Sequence, residues 1–258
     1  MTHRVTLGIV AVLLVASCGG GSSTLTAPTP VATQTPAPTP SPTPTPSPTP
    51  PASETPPALS VSIVDLSGSY DPATKRLGAL LCTFTFGSDP NDRWCFNAFA
   101  STAVPNKQGV SYDYKTVAGA AVFAATAGTV FRIDADTSAL YPNEFEIETR
   151  SAVDGSYLVI YDHVKNLAVG VGTMVQPGTV LGTVGIHTTN PIVWGRVELQ
   201  INKVTQRSPR IQSIAVCPRA LGTDRFNQLN DAALAAHNNA NPPFASASVC
   251  VADQLGPF

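Results

Sequence analysis

The sequence predicts a mostly β fold with a single helix near the C-terminus. Its apolar segments are short, rich in Val, Ile, Phe and Tyr, and separated by Gly, Asn, Asp and Pro, a pattern typical of strands joined by turns. Only Asp224–His237 has the apolar spacing of a helix, with Thr223 as its expected N-cap. The apolar face of this helix would pack on the sheet and consists of Phe226, Leu229, Ala233 and Leu234.

Nine segments are predicted strands. They are Leu59–Val64, Ala79–Phe86, Ala121–Ala124, Gly128–Ile133, Phe145–Thr149, Ser156–Asp162, Met174–Val175, Val180–Val184 and Arg196–Asn202. Several are separated by glycines of the run Gly119–Gly185, and glycine adopts positive φ without a steric penalty. The sequence therefore predicts short strands joined by tight turns.

The first 17 residues have the features of an export signal. Arg4 precedes the apolar run Leu7–Ala16, which is too short to span a membrane. The following residues, V-A-S-C, resemble the bacterial lipobox, in which small residues precede a lipidated cysteine. We expect cleavage before Cys18 and a stable membrane anchor, because two or three acyl chains exceed the threshold for lasting attachment. The alternative is an ordinary signal peptide followed by an unrelated cysteine.

Residues 18–58 would be the lipidated cysteine and a disordered linker. Residues 19–58 are mainly Gly, Ser, Thr, Ala and Pro with one charge, Glu54, and they include the run PTPSPTPTPSPTPP. Such a segment lacks the apolar side chains that a core needs and favours extended polyproline II. Some 40 residues would then span on the order of 120 Å at about 3.1 Å each. The folded part would stand well away from the membrane.

The remaining residues divide into a candidate core and two flanks. We expect an N-terminal β extension at 59–105, a β domain at 106–203 and a C-terminal extension at 204–258 that contains the helix. Removal of residues 1–17 leaves 14 basic against 17 acidic side chains, a net charge of −3. Nucleic-acid binding is not expected, because it requires clustered Lys and Arg, and here these residues are scattered.

The cysteine count supports an exported protein. Five cysteines minus Cys18 leave an even number, Cys82, Cys95, Cys217 and Cys250. Four cysteines allow three pairings, and we favour the local one, Cys82–Cys95 with Cys217–Cys250, which closes the shortest loops. The alternative is four free buried thiols.

The run Gly119–Gly185 carries a family resemblance. It contains AAVFAATAGTVFRI and VIYDHVKNLAVGVGTMVQPGTVLGTVG. Its spacing resembles the lysostaphin/LytM-type peptidoglycan endopeptidases, whose β core reads "V.A...G.V … Y.H … V..G..V..G..IG..G". The resemblance covers roughly residues 106–203 and implies an antiparallel sheet of the duplicated hybrid motif type. Biotinyl and lipoyl carriers share these turns, but the lysine that they modify is missing here.

The resemblance also implies a zinc site, and this chain departs from it. The family binds zinc through the His and Asp of H-x-x-x-D and the second His of an H-x-H strand. Asp113 stands at the ligand Asp, but the preceding histidine is replaced by Gly109. The H-x-H strand reads R-V-E, with Arg196 and Glu198 at the two histidines; a shift by two would give Trp194 and Arg196. Asp113 and Glu198 remain as metal candidates, although Arg196 would neutralise Glu198 without metal.

The catalytic candidates follow from the same resemblance. His163 matches the histidine of Y-x-H, and Arg196 stands where the family has the other histidine that acts on water or the transition state. His187, in the loop GIHTTNP, and His237, on the helix, occupy no motif position. We treat His187 as a minor candidate for metal contact.

Three hypotheses for function remain open. The favoured one is a membrane-anchored envelope lipoprotein with a degenerate LytM-type domain, no cofactor, and a binding or regulatory role on peptidoglycan or an envelope protein. The second is an active zinc endopeptidase that cuts peptidoglycan cross-bridges with Asp113, His163 and Glu198. The third is a structural or adhesion protein whose flanks contact a partner. In each, the domain would face the periplasm or cell wall from the cell membrane or outer membrane.

Overall fold

A computed structural model of the chain describes residues 55–84, 93–102, 108–137, 141–151, 156–189, 192–206, 212–241 and 245–257. All of these residues lie in one unit, Pro50–Phe258. The signal peptide, Cys18 and nearly all of the linker lie outside the described residues. In the described part of the chain, no helix combines the length and apolar character needed to cross a membrane.

The described strands form one antiparallel sheet. They are β1 Arg76–Leu77, β2 Leu80–Leu81, β3 Phe96–Asn97, β4 Ser111–Thr116, β5 Ala121–Phe123, β6 Gly128–Ala135, β7 Phe145–Ser151, β8 Tyr157–Lys165, β9 Met174–Val175, β10 Val180–Thr189, β11 Ile192–Gln206, β12 Gln212–Val216 and β13 Gln254–Leu255. The main order is β1-β2-β4-β11-β10-β8-β7-β6-β9, with β3 beside β4, β5 beside β10, and β12 and β13 beyond β11. The mostly β antiparallel fold expected from the sequence is confirmed.

Strand β11 organises the sheet because it pairs with four other strands. Its first half pairs with β10, its middle with both β4 and β8, and its end with β12. Strand β8 in turn pairs first with β11 and then with β10. The sheet therefore curls around the middle of β11, and side chains from three strands converge there.

Some predicted strands are wrong in extent. Leu59–Val64 forms no strand and contributes a single bridge, from Leu59 to Gly222, while Ala79–Phe86 contributes only β2 among its described residues. Conversely, β4 was not predicted, because polar and charged side chains alternate with tyrosines along it. All six of its side chains are buried, so the polar ones face neighbouring strands rather than water.

The helix α1, Asp224–Ala240, extends three residues beyond the prediction. The Thr223 hydroxyl accepts the Phe226 amide, which confirms the expected cap. Phe226, Ala233 and Leu234 are buried as expected, whereas Leu229 is only half-buried. The buried face also contains two polar residues, Asn230 and His237, that apolar spacing does not predict.

Both flanks belong to the same core as the central strands. Leu59, Phe99 and Phe226 are fully buried in one apolar cluster with residues of β8 and β11. The expected disulfides are present: Cys82–Cys95 has a Cα separation of 4.9 Å, and Cys217–Cys250 one of 6.1 Å. Each closes a loop within its own flank, where it limits the freedom of the unfolded chain.

Candidate functional site

Three carboxylates lie in one row across the middle of the sheet. Glu198 on β11 is directly opposite Asp113 on β4 and Asp162 on β8. Of the three β11 residues considered from the sequence, this register places Glu198 beside Asp113 and leaves Arg196 and Trp194 farther along the strand. Like charges that face each other across strands destabilise a sheet. The row requires cations or bound protons to form.

Arg196 supplies the cation. It lies two residues from Glu198 on the same face of β11, forms an ion pair with it, and has its Nη1 3.5 Å from the Tyr141 hydroxyl. Burial would raise the pKa of Glu198, but Arg196 and His163 outweigh burial and hold this pKa well below its usual range. The same ion pair outweighs burial in Arg196 and raises its pKa. Both groups are charged at neutral pH.

Asp113 is held by neutral partners. The Asn97 amide donates to Oδ2 at 3.0 Å, and the Ser111 hydroxyl lies 2.5 Å from Oδ1 and 2.9 Å from Glu198 Oε2. One hydroxyl proton satisfies one carboxylate, so this bridge is complete when Asp113 is protonated and donates to Ser111. Burial and the charge of Glu198 raise the pKa of Asp113 to about 6. We call Asn97, Ser111, Asp113, Arg196 and Glu198 the arginine network.

Asn97 lies where a longer side chain at Gly109 would point. A Cβ atom built on Gly109 would have the Asn97 Nδ2 atom as its nearest neighbour, at 3.5 Å. Strand β3, from the N-terminal flank, pairs with β4 so that Asn97 is opposite Asp113. A neutral amide from the flank therefore occupies the space beside Asp113 into which a residue at position 109 would extend.

His163 lies at a corner of β8. Its φ of 61° is in the left-handed region, where a residue with a side chain is strained, and the strand changes partner from β11 to β10 at this point. The imidazolium Nδ1 donates to Glu144 Oε2 at 2.7 Å, and Nε2 is 3.4 Å from Glu198 Oε1. Burial lowers the pKa of His163, but the hydrogen bonds to Glu144 and Glu198 together have the larger effect and raise this pKa to about 9.

Glu144 and His187 complete a second group of polar side chains. Glu144 is fully buried, and its Oε1 accepts the Ile186 amide at 2.9 Å. Its carboxylate lies 2.5–2.6 Å from where a Cβ would stand on Gly185, so a side chain at this position would displace the carboxylate. The ligand atoms of Glu144, His163 and His187 lie within 4.8 Å of one another. We call these three residues the histidine cluster.

Aromatic rings surround both groups. The Tyr141 ring lies 4.7 Å from the His163 ring and 4.9 Å from the His187 ring, centroid to centroid. The His187 ring stacks on Trp194, its cross-strand partner, at 4.7 Å and 21°. The guanidinium of Arg196 lies 5.7 Å from the Trp94 ring centroid. These contacts restrict the movement of the rings.

The predicted site residues Asp113, His163, Arg196 and Glu198 come together in the structure. His187 also joins them, whereas His237 lies apart, buried beside Cys95. Sequence reasoning missed Asn97, Ser111 and Glu144. Only Ser111 carried a usable signal, because residues two apart on a strand share a face and Ser111 is two residues before Asp113.

One family model matches the central part of the chain. Residues 106–206 match the model of Peptidase family M23. No curated protein matches the chain. Among solved structures, the antimicrobial peptidase lysostaphin from Staphylococcus simulans is similar at 14% identity and TM-score 0.37, over 53% of this chain and 51% of lysostaphin.

Two further structures are similar at comparable levels. The catalytic domain of the prophage-encoded M23 protein EnpA from Enterococcus faecalis has 16% identity and TM-score 0.34, over 50% of this chain and 92% of that domain. Csd3 from Helicobacter pylori has 18% identity and TM-score 0.31, over 47% of this chain and 28% of Csd3. The chain thus spans about half of lysostaphin and less of Csd3. The family-model match identifies residues 106–206 as an M23 peptidase-like domain.

Proposed function

We propose that this chain is a cell-envelope lipoprotein whose M23 peptidase-like domain binds peptidoglycan without hydrolysing it. The observation that carries the proposal is the ion pair between Arg196 and Glu198 in the middle of the sheet. It lies at the two positions that the resemblance assigns to the H-x-H histidines. The proposed anchor is lipid on Cys18, which would hold the domain in the periplasm or at the cell wall.

Zinc does not fit the positions that the resemblance implies. Gly109 has no donor atom, and a guanidinium has no lone pair available for a metal. Glu198 is already neutralised by Arg196, and Asp113 is bound by Asn97 and Ser111. A three-ligand catalytic site of the zinc hydrolase type therefore lacks its imidazole ligands here.

The same residues suit binding to a peptide. The side chains of Arg196 and Glu198 remain 13% and 17% exposed, and that of Asp162 is 34% exposed, so the row is open at one edge. Such groups can pair with the amides, ammonium groups and carboxylates of a peptide cross-bridge. A fixed ion pair binds such a ligand with little reorganisation, because its geometry already exists in the free protein.

The test is cosedimentation of the purified full chain with isolated sacculi, followed by mass spectrometry of the supernatant with and without a chelator. We expect the chain to pellet and no chelator-sensitive release of peptide fragments. Chelator-sensitive release would overturn the proposal in favour of an active endopeptidase. The double variant Arg196→Ala with Glu198→Ala removes both partners, so no charge is left unpaired. If this folded variant still pellets with sacculi, the binding surface lies in the flanks at 59–105 and 204–258.

A further inference from the structure

The histidine cluster has the chemistry of a metal site, although no family motif position except that of His163 belongs to it. Its members come from three separate elements: Glu144 from the turn before β7, His163 from the corner of β8, and His187 from β10. Two imidazole nitrogens and one carboxylate oxygen are a ligand set that zinc commonly takes in proteins. The three ligand atoms also lie within 4.8 Å of one another, which is close enough for them to converge on one ion.

A metal ion would require movements of about half an ångström between His163 and Glu144 and of up to about 1.5 Å at the most distant ligand atom, because the three atoms lie within 4.8 Å of one another. Zinc bonds nitrogen and oxygen at about 2.0–2.2 Å, which places two ligand atoms of a tetrahedral ion roughly 3.3 Å apart. The present separation of 2.7 Å between His163 Nδ1 and Glu144 Oε2 is that of a hydrogen bond. A metal ion would replace the proton between these two atoms and move them apart by about half an ångström.

The surroundings orient the three ligands as metal sites require. His163 turns Nδ1 to Glu144, while its Nε2 lies 3.4 Å from Glu198 Oε1, so a carboxylate holds the opposite side of the ring. A carboxylate that accepts the second N–H of a metal-bound imidazole is the usual outer-shell arrangement. The second oxygen of Glu144 is fixed by the Ile186 amide at 2.9 Å.

Backbone geometry also favours a metal site at the histidine cluster. The left-handed φ of 61° at His163 turns its ring toward Glu144, and the absence of a side chain on Gly185 leaves room for the Glu144 carboxylate. Strain and close approach of this kind concentrate at binding sites. The stacking of His187 on Trp194 fixes the third ligand.

We propose that Glu144, His163 and His187 bind one zinc ion, with Glu198 as the positioning residue that holds His163 through Nε2. The site lies on the β10 side of the Arg196–Glu198 pair and is distinct from the positions that the family resemblance implies. It does not depend on the proposed function, because a metal bound here requires no hydrolysis.

The test is titration of the chelator-treated, dialysed full chain with zinc by calorimetry, together with metal analysis of the product. We expect one zinc per chain with a Kd of about 1 µM or tighter. Cobalt in place of zinc should give the intense visible absorption of a tetrahedral N/O site. Zero stoichiometry in the wild-type chain would overturn the proposal without any variant.

Variants then locate the metal. We expect His187→Ala and Glu144→Gln to weaken zinc binding at least about 100-fold, because each removes one of three ligands. Glu198→Gln should weaken it about 10-fold, as loss of an outer-shell carboxylate does. Asp113→Asn removes no ligand of the histidine cluster and should weaken zinc binding far less than His187→Ala does. Binding lost in Asp113→Asn but kept in His187→Ala would overturn the site and place zinc at the family positions.

Two controls distinguish failure of the zinc site from unfolding of a variant and from failure of the proposed function. Circular dichroism shows whether each variant is folded; if Glu144→Gln unfolds, His187→Ala carries the test, because His187 is a less buried residue at the edge of the cluster. Chelator-sensitive release of peptide fragments from sacculi would overturn the proposed function and leave the zinc site intact. Absence of zinc binding would overturn the site and leave the proposed function intact.

Discussion

The arginine network and the histidine cluster lie side by side in one sheet, and each neutralises a carboxylate in a different way. Both contain buried acids near His163, but the first neutralises Glu198 with a fixed guanidinium and the second pairs Glu144 with an imidazole. A guanidinium cannot give way to a metal ion, whereas an imidazole can exchange its proton for one. An imidazole paired with a carboxylate therefore keeps both of its donor atoms for a metal ion, whereas a guanidinium a few ångströms away offers none.

The largest expected effect comes from restoring imidazoles to the arginine network. We predict that Gly109→His, Arg196→His and Glu198→His together create a zinc site with Asp113, with a Kd of about 1 µM or tighter, worth roughly 8 kcal/mol. Calorimetry would report one zinc more per chain than in the wild type. The matched control carries Gly109→Ala with the same two histidines and should bind at least about 100-fold more weakly. An unchanged stoichiometry in the triple variant would mean that Asn97 still blocks the position.

A smaller effect is expected from removing the cation alone. Arg196→Met leaves Glu198 buried beside Asp113 and Asp162 without its main counter-charge. We predict a loss of about 3–5 kcal/mol in the free energy of unfolding, measured by urea denaturation at pH 7.5 with chelator present. Arg219→Met is the matched control: its pair with Asp231 is 44% and 51% exposed, so the cost should stay below about 1 kcal/mol. A loss under about 1 kcal/mol for Arg196→Met would show that His163 alone neutralises Glu198.

The smallest effect is a gain in stability at Asp113. Its folded-state pKa of about 6 exceeds its ordinary value of 3.8, so the folded protein binds this proton more tightly than the unfolded chain. The contribution to stability is complete below about pH 4 and is lost as the pH rises through about 6. Asp113→Asn should therefore stabilise the fold by about 1–2 kcal/mol at pH 7.5 and by much less at pH 4.5.

Urea denaturation of wild type and Asp113→Asn at the two pH values would measure this difference. If the variant is less stable than wild type at pH 7.5, ionised Asp113 is a favourable partner of Arg196. The arginine network would then stabilise its second anion instead of being destabilised by it, and the contrast with the histidine cluster would weaken.

The sequence predicted the mostly β fold and four members of the site, because both depend on local patterns. Turn glycines and apolar spacing are visible within a few residues, and Asp113, His163, Arg196 and Glu198 hold fixed offsets in a family motif. Strand β4 escaped prediction because its polar residues are buried against neighbouring strands. Burial of this kind depends on pairing with distant segments, which spacing does not reveal.

Asn97 and Glu144 were missed for a related reason. Asn97 reaches Asp113 through pairing of β3 with β4, and Glu144 reaches His163 through pairing of β7 with β8, in which Phe145 is opposite Val164. Neither belongs to a motif, and an isolated Asn or Glu in a loop-rich region usually faces water. Their roles become visible only when the register of the sheet is known.

The bridge between Leu59 and Gly222 has a mechanical consequence. The Leu59 amide donates to the Leu221 carbonyl at 2.9 Å, and the Thr223 amide donates to the Leu59 carbonyl at 2.8 Å. A load on the chain ahead of Leu59 would be borne first by these two backbone bonds and by the buried Leu59 side chain. Part of the force would thus pass through the two backbone bonds into the segment before α1. If the lipid anchor proposed for Cys18 pulls on the chain, we expect the segment before α1 to take up part of the load.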